Sequence, residues 1–207
     1  FFAGSLWYLY ELTGDEKWIE PAMKQTQALE SIQFYTDNHD VGFMIGCSYG
    51  NALRLTGKEE YKDIIIQAAR SLSTRFNPST GVIQSWNANP KKDWEYPVII
   101  DNMMNLELLF DATEFSGDST FYNIAVSHAD NTMKNHYRPD YSTWHVIDYN
   151  KTDGSVRHRN THQGYNDESS WSRGQSWGVY GYVLCYRKTN NPTYLTQAKK
   201  ALDFIAN

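Results

Sequence analysis

A chain of 207 residues, 41% hydrophobic and 21% charged, is long enough to enclose one sizeable core and too apolar for a disordered segment. Its formal net charge of -5, without any cluster of Lys and Arg, argues against a nucleic-acid partner, and no run of eighteen apolar residues offers a membrane span. Cys47 and Cys185 supply neither a disulfide framework nor a zinc pattern and read as buried thiols.

The first residues, Phe1-Phe2-Ala3-Gly4, carry no initiator Met and no charged-then-apolar signal layout, so the chain is expected to be cut from something longer. The compartment stays open between the cytoplasm and the periplasm of a bacterium, as does the oligomeric state. From there the periodicity is helical nearly throughout. Residues 2–12, 43–55, 102–115 and 171–187 form helices rich in Gly, Met and aromatics, apolar or small-sided around most of their circumference and therefore buried. Each ends in a stop-and-start mark: Leu12-Thr13-Gly14-Asp15, Leu55-Thr56-Gly57-Lys58, Phe115-Ser116-Gly117-Asp118 and Thr189-Asn190-Asn191-Pro192. Gly or Asn supplies the left-handed cap, and a polar residue or Pro suits the next first turn. An amphipathic helix follows each mark, as in Tyr61, Ile64, Ile65, Ala68, Ala69 and Leu72, or Tyr194, Ala198, Ala201, Leu202 and Ile205.

The unit is thus inner helix, tight turn, outer helix, loop, four times over. Such hairpins stack as an open solenoid or close into a ring lined by the inner helices. The loops at 36–42, 77–100 and 138–170 are long, aromatic and individual, which favours a ring with all of them at one mouth. Asp40 and Asp101 stand at equivalent positions, each just before an inner helix. Either reads as an N-cap on its own. The apolar frame of Asp101, Pro97 to Ile100 and Met103-Met104, instead predicts a desolvated carboxyl with a raised pKa, raised further by a second carboxylate nearby. The run Thr161-His162-Gln163-Gly164-Tyr165 to Trp171-Ser172-Arg173-Gly174-Gln175-Ser176-Trp177 brings Trp, His, Gln and Arg to the fourth inner helix. There Trp171/Gln175 and Arg173/Trp177 are i,i+4 pairs. His158 and His162 lie in a loop and read as no metal site.

His39-Asp40-Val41-Gly42-Phe43, Ile100-Asp101-Asn102-Met103-Met104-Asn105 and the 161–177 run together resemble the signatures of the unsaturated glucuronyl hydrolases, glycoside hydrolase family 88. The resemblance covers essentially the whole chain. It implies an all-α fold, the (α/α)6 barrel, of which four hairpins are present, so residues 1–207 are expected to be a single barrel domain incomplete at both ends. It also implies removal of a Δ4,5-unsaturated uronic acid from the non-reducing end of a small lyase-generated oligosaccharide of glycosaminoglycan type, by hydration of the double bond. Asp101 would be acid and then base, and Asp40 its helper on the ring hydroxyls. Trp86, Trp171 and Trp177 would wall the sugar, His145, His162 and Gln163 would hydrogen-bond hydroxyls or water, and Arg173 would offset the substrate carboxylate. No cofactor or metal is implied. The related unsaturated rhamnogalacturonyl hydrolases of family 105 fit the 39–43 segment less well, and a non-catalytic glycan- or protein-binding scaffold does not account for the clustered Asp, Trp and Arg.

Overall fold

The structure, a computed structural model, describes residues 1–206. Helix α1 (Phe2–Thr13) turns back into α2 (Ile19–Gln27). The second inner helix is α3 (Val41–Ile45), a π-turn (Gly46–Gly50) and α4 (Asn51–Thr56) in one run, followed by α5 (Tyr61–Ser73). The third hairpin opens on a 3-10 segment (Ile100–Asn105) that passes into α6 (Leu106–Ser116) and returns as α7 (Ser119–Asn135). The fourth pairs α8 (Ser172–Thr189) with α9 (Pro192–Ala206). Successive inner helices pack side by side, α1 on α4, α3 on α6 and α6 on α8, with the outer helices behind them. These are four hairpins of the (α/α)6 barrel arrangement.

The expected turn marks close every hairpin. Gly14, Gly57, Gly117 and Asn190 take φ of 66°, 67°, 74° and 57°, and each donates its N–H to the carbonyl four residues back. The next helix starts on a side-chain cap: Asp118 accepts the Thr120 amide at 2.8 Å, and Asn191 accepts that of Thr193 at 3.0 Å. Burial follows the predicted stripe on α5, where Tyr61, Ile65, Ala68, Ala69 and Leu72 are in the core, with Ile64 partly buried against it. On α9 it follows only in part. Tyr194, Ala198 and Ala201 are buried, but Leu202 and Ile205 are about half exposed, as are Tyr180 and Val183 on neighbouring α8.

The expectation of helices joined by irregular loops needs correction in two places. The third inner helix does not begin as an α-helix at Asn102, because Ile100 to Asn105 is wound as the tighter 3-10 form. The long loops also carry strands: β1 (Phe76–Asn77) with β2 (Val82–Ile83), and an antiparallel sheet of β3 (Pro97–Ile99), β4 (Val146–Tyr149) and β5 (Val156–Asn160). Pro97 sits opposite Asp148 and Ile99 opposite Val146, so the loop entering hairpin three is paired to the loop entering hairpin four. Fully buried Asp148 pins that sheet, accepting the Glu95 and Tyr96 amides at 2.9 and 2.8 Å while Arg157 donates to its other oxygen.

Close approach of α8 to the 3-10 segment depends on small residues. A Cβ on Gly174 would lie 2.7 Å from Ile100 Cγ2, and one on Gly181 would lie 2.5 Å from Met103 Cβ and 2.8 Å from its carbonyl oxygen. Since Met103 is buried and cannot withdraw, Gly181→Ala is expected to destabilise the protein by about 1–3 kcal/mol, read as a lowered denaturation midpoint in guanidinium.

Candidate active site

Strand β3 delivers Asp101 to the second position of the 3-10 segment. Its neighbours Ile99, Ile100 and Met103 are all buried, and Asp101 itself is 7% exposed. Burial, the largest influence, pushes its carboxyl up to about 6; its own backbone amide and the Arg173 charge pull downward, and the Asp40 charge pushes upward. Oδ2 of Asp101 is buried with no hydrogen-bond partner among the described residues. Neither carboxylate caps a helix. Asp40 accepts no capping N–H; its carboxylate lies 3.3 Å from Nε2 of His39, and its own amide donates to Asn38 Oδ1 at 2.7 Å.

The mouths of hairpins two and three are sewn together beside these acids. Phe43 donates its N–H to Asn105 Oδ1 at 2.7 Å, and a Cβ on Gly42 would lie 2.7 Å from Asn105 Cβ. Behind Asp40, buried His39 is held neutral, chiefly by desolvation. Ser85 Oγ accepts the Ile99 amide at 2.9 Å, which leaves its proton for His39 Nδ1 at 3.3 Å and makes Nε2–H the donor facing Asp40.

A second histidine is fixed in the same way. His145, next to β4, accepts the amides of His162 and Gln163 on Nδ1 at 3.0 and 3.2 Å, so Nε2 carries its proton and points at Asp101 Oδ2, 3.7 Å away. Burial pushes this imidazole down to about 3, so the contact is a neutral donor facing a carboxyl rather than an ion pair. Both atoms are buried without a hydrogen-bond partner among the described residues.

Around this pair the predicted residues gather unevenly. The Trp171 ring packs on His145 at 4.6 Å, the Arg173 guanidinium lies over Trp171 at 4.3 Å, and Arg173 donates to Gln163 Oε1 at 3.0 Å. Trp86 meets His145 edge-on at 6.2 Å and His162 at 5.2 Å. Trp177 stands apart, edge-on to Phe43 at 5.6 Å and close to Tyr180, on the side toward hairpin two. Gln175, paired with Trp171 by spacing, turns away into the fold, where its amide donates to the Tyr141 and Ala201 carbonyls. His158 bonds Asp93 at 2.8 Å, and no group of three or more His, Cys, Asp or Glu among the described residues is placed to hold a metal ion.

Sequence reasoning gave no role to Trp94 or Lys92. Trp94 stacks on Trp86 at 5.6 Å and 24°, and Lys92 donates to His162 Nδ1 at 2.7 Å. Neither belongs to a spacing pattern: Trp94 meets Trp86 eight residues back through the 90–94 turn, and Lys92 reaches His162 across 70 residues of chain. His39 stood within a quoted motif, and the signal for its role was its adjacency to Asp40. Together the site offers a carboxyl able to hold or release a proton near neutral pH, two neutral imidazole donors, one guanidinium and aromatic walls. That set suits an anionic ring of sugar size.

Comparison with known proteins agrees with this chemistry. The profile of Glycosyl Hydrolase Family 88 matches residues 1–207. An unsaturated glucuronyl hydrolase of Formosa agariphila is 48% identical over 99% of this chain and 51% of its own length. An unsaturated chondroitin disaccharide hydrolase of Streptococcus agalactiae is 35% identical over 100% of this chain and 52% of its own. Among solved structures, an unsaturated glucuronyl hydrolase specific for heparin superposes with a TM-score of 0.95 at 46% identity, covering 100% of this chain and 55% of that one. The chain therefore spans about half the length of the curated relatives it matches.

Proposed function

This chain belongs to glycoside hydrolase family 88, and from that premise we propose that the protein it belongs to removes a Δ4,5-unsaturated uronic acid from the non-reducing end of lyase-generated glycosaminoglycan oligosaccharides. The observation that carries the reading is Asp101: a buried carboxyl with a free Oδ2, held up to about 6, within the field of Arg173 and Asp40.

The substrate's double bond is a vinyl ether, so protonation at C4 creates an oxocarbenium at C5. Asp101, protonated at first, gives that proton. Now ionised, it takes a proton from water as the oxygen adds to C5, which returns the carboxyl to its starting state. The hemiketal at C5 opens, the anomeric carbon is left as a hemiacetal, and its collapse releases the next sugar. The anomeric carbon is never attacked, so no second carboxylate is needed across the scissile bond. Arg173 matches the uronate carboxylate with charge-assisted bonds, and Asp40, steadied by His39 Nε2–H, accepts bonds from ring hydroxyls. His145 Nε2–H faces Asp101 Oδ2 and steadies the ionised form that the second half of the reaction requires.

The test uses the full-length protein with unsaturated disaccharides from chondroitin, hyaluronan, heparin and rhamnogalacturonan, following loss of the conjugated double-bond absorbance. Loss on one or more of the glycosaminoglycan disaccharides is expected. No loss on any of the four removes the reading, and loss on the rhamnogalacturonan fragment alone replaces it with the pectin-directed reaction.

A further inference from the structure

Ser85 lies in none of the motifs read along the chain and is fully buried, so it cannot meet a substrate. Its hydrogen bonds nevertheless all run to the two segments that deliver the acids. Its backbone N–H donates to the Pro97 carbonyl at 2.9 Å, and its carbonyl accepts the His39 amide at 3.1 Å. Its hydroxyl oxygen accepts the Ile99 amide at 2.9 Å and its hydroxyl proton goes to His39 Nδ1 at 3.3 Å. Pro97 and Ile99 are the two ends of β3, which leads into Asp101, and His39 is the chain neighbour of Asp40. The stretch that carries Ser85 is itself clamped. Buried Arg75, just past α5, donates to the Gln84 carbonyl at 2.7 Å and to Asn87 Oδ1 at 3.1 Å, on either side of Ser85 and Trp86.

The backbone bonds place the segments, and the hydroxyl aims what they carry. A neutral imidazole has one N–H and one lone pair, and a donor at Nδ1 leaves the N–H on Nε2, 3.3 Å from the Asp40 carboxylate. Without that donor the Nδ1 lone pair is buried and unpaired, and the ring gains by turning or by moving its proton, either of which withdraws the bond from Asp40. The same loss strips the Ile99 amide of its acceptor two residues before Asp101. We infer that Ser85 is a positioning residue for both acids: its hydroxyl orients the His39 ring toward Asp40 and holds the end of the strand that presents Asp101. The catalytic use of that geometry rests on the hydrolase reading above.

The experiment compares Ser85→Ala, Ser85→Thr and Ser85→Cys with the unaltered full-length protein. Alanine keeps both backbone bonds and loses both hydroxyl bonds. Its kcat on an unsaturated disaccharide is expected to fall roughly 10- to 100-fold with KM within about twofold, because Trp171 and Arg173 are untouched while the acids lose their alignment. Threonine, which keeps a hydroxyl, should restore most of the loss. If its extra methyl prevents folding, cysteine, a weak donor of nearly the size of serine, should fall between serine and alanine. An unchanged kcat in folded Ser85→Ala, or a loss confined to stability, overturns the inference. Nitrogen NMR of the imidazoles needs no turnover, with His39 assigned by the signals that vanish in His39→Gln. Nε2 of His39 is expected to carry the proton in the unaltered protein, and the Nδ1 signal to move in Ser85→Ala and return in whichever hydroxyl or thiol variant folds. A proton on Nδ1, or a His39 signal indifferent to Ser85, overturns the inference even in an active hydrolase. Signals that follow the side chain at 85, in a protein that turns over no unsaturated disaccharide, keep the positioning role and sink the hydrolase reading.

Discussion

Asp101→Asn in the full-length protein is expected to lower kcat/KM by roughly 10²–10⁴-fold, because the amide keeps the shape of the carboxyl and loses its ability to give and take the proton. Stability should move the other way. A carboxyl held up to about 6 by burial costs the folded state free energy wherever it is ionised, since the unfolded chain releases that proton near its ordinary value of 3.8. The sign follows directly: stability from this group is greatest below 3.8 and is lost as pH rises through about 6. At pH 8 the lost term is about 2–3 kcal/mol, and Asp101→Asn removes it, so the variant should melt at or above the unaltered protein. A structural Asp bound to backbone amides would behave in the opposite sense. In the unaltered protein, kcat/KM should decline as pH rises through about 6, where the acid form disappears. A variant that keeps most of its activity would show that another group donates the proton.

The preference for Asp101 over Asp40 was legible in the sequence as its apolar frame, Pro97 to Ile100 and Met103-Met104, although the two stand at equivalent positions at the mouths of inner helices. How that frame is built is visible only in three dimensions. Strand β3 carries Asp101 inward beneath β4 and His145, while Asp40, on a short approach to α3, stays 43% exposed. The hairpin repeat was legible because its punctuation is a backbone constraint: a left-handed residue ends each inner helix, and Gly14, Gly57, Gly117 and Asn190 announce it locally. The three-stranded sheet was not legible, because its strands are three to five residues long and β3 pairs with β4 across about fifty residues of chain. Trp86 entered the site reading by resemblance, and His162 and Trp171 as members of the 161–177 run. Their packing around His145 is made by β4 and by the amides of residues 162 and 163, which no local pattern encodes.

Buried histidines packed against the two sheets make the fold sensitive to acid. His128 and His136 project from α7 toward the loops of the site: His128 Nδ1 accepts the Ile83 amide at 3.0 Å, and His136 Nε2–H donates to the Val98 carbonyl at 3.2 Å. Both are fully buried, and burial pushes them down to about 3 and about 4, as it pushes His145 to about 3. Each of the three is neutral in the folded protein and takes up a proton near 6.5 once unfolded. Their contribution is intact above 6.5 and is lost progressively as pH falls toward 3 to 4, at about 1 kcal/mol per pH unit for each well inside that window. Asp101 works against this trend between 6 and 3.8, offsetting about one of the three. Unfolding in guanidinium is thus expected to show a stability drop of about 4 kcal/mol between pH 7 and pH 5, shallow near pH 7 and steepest below about pH 6. His128→Gln, which keeps an acceptor for the Ile83 amide, should flatten the slope by about half even if the variant starts out weaker. A profile level from pH 7 to 5 would mean that these imidazoles are protonated in the fold, and the tautomer that aims His145 Nε2–H at Asp101 would fall with it.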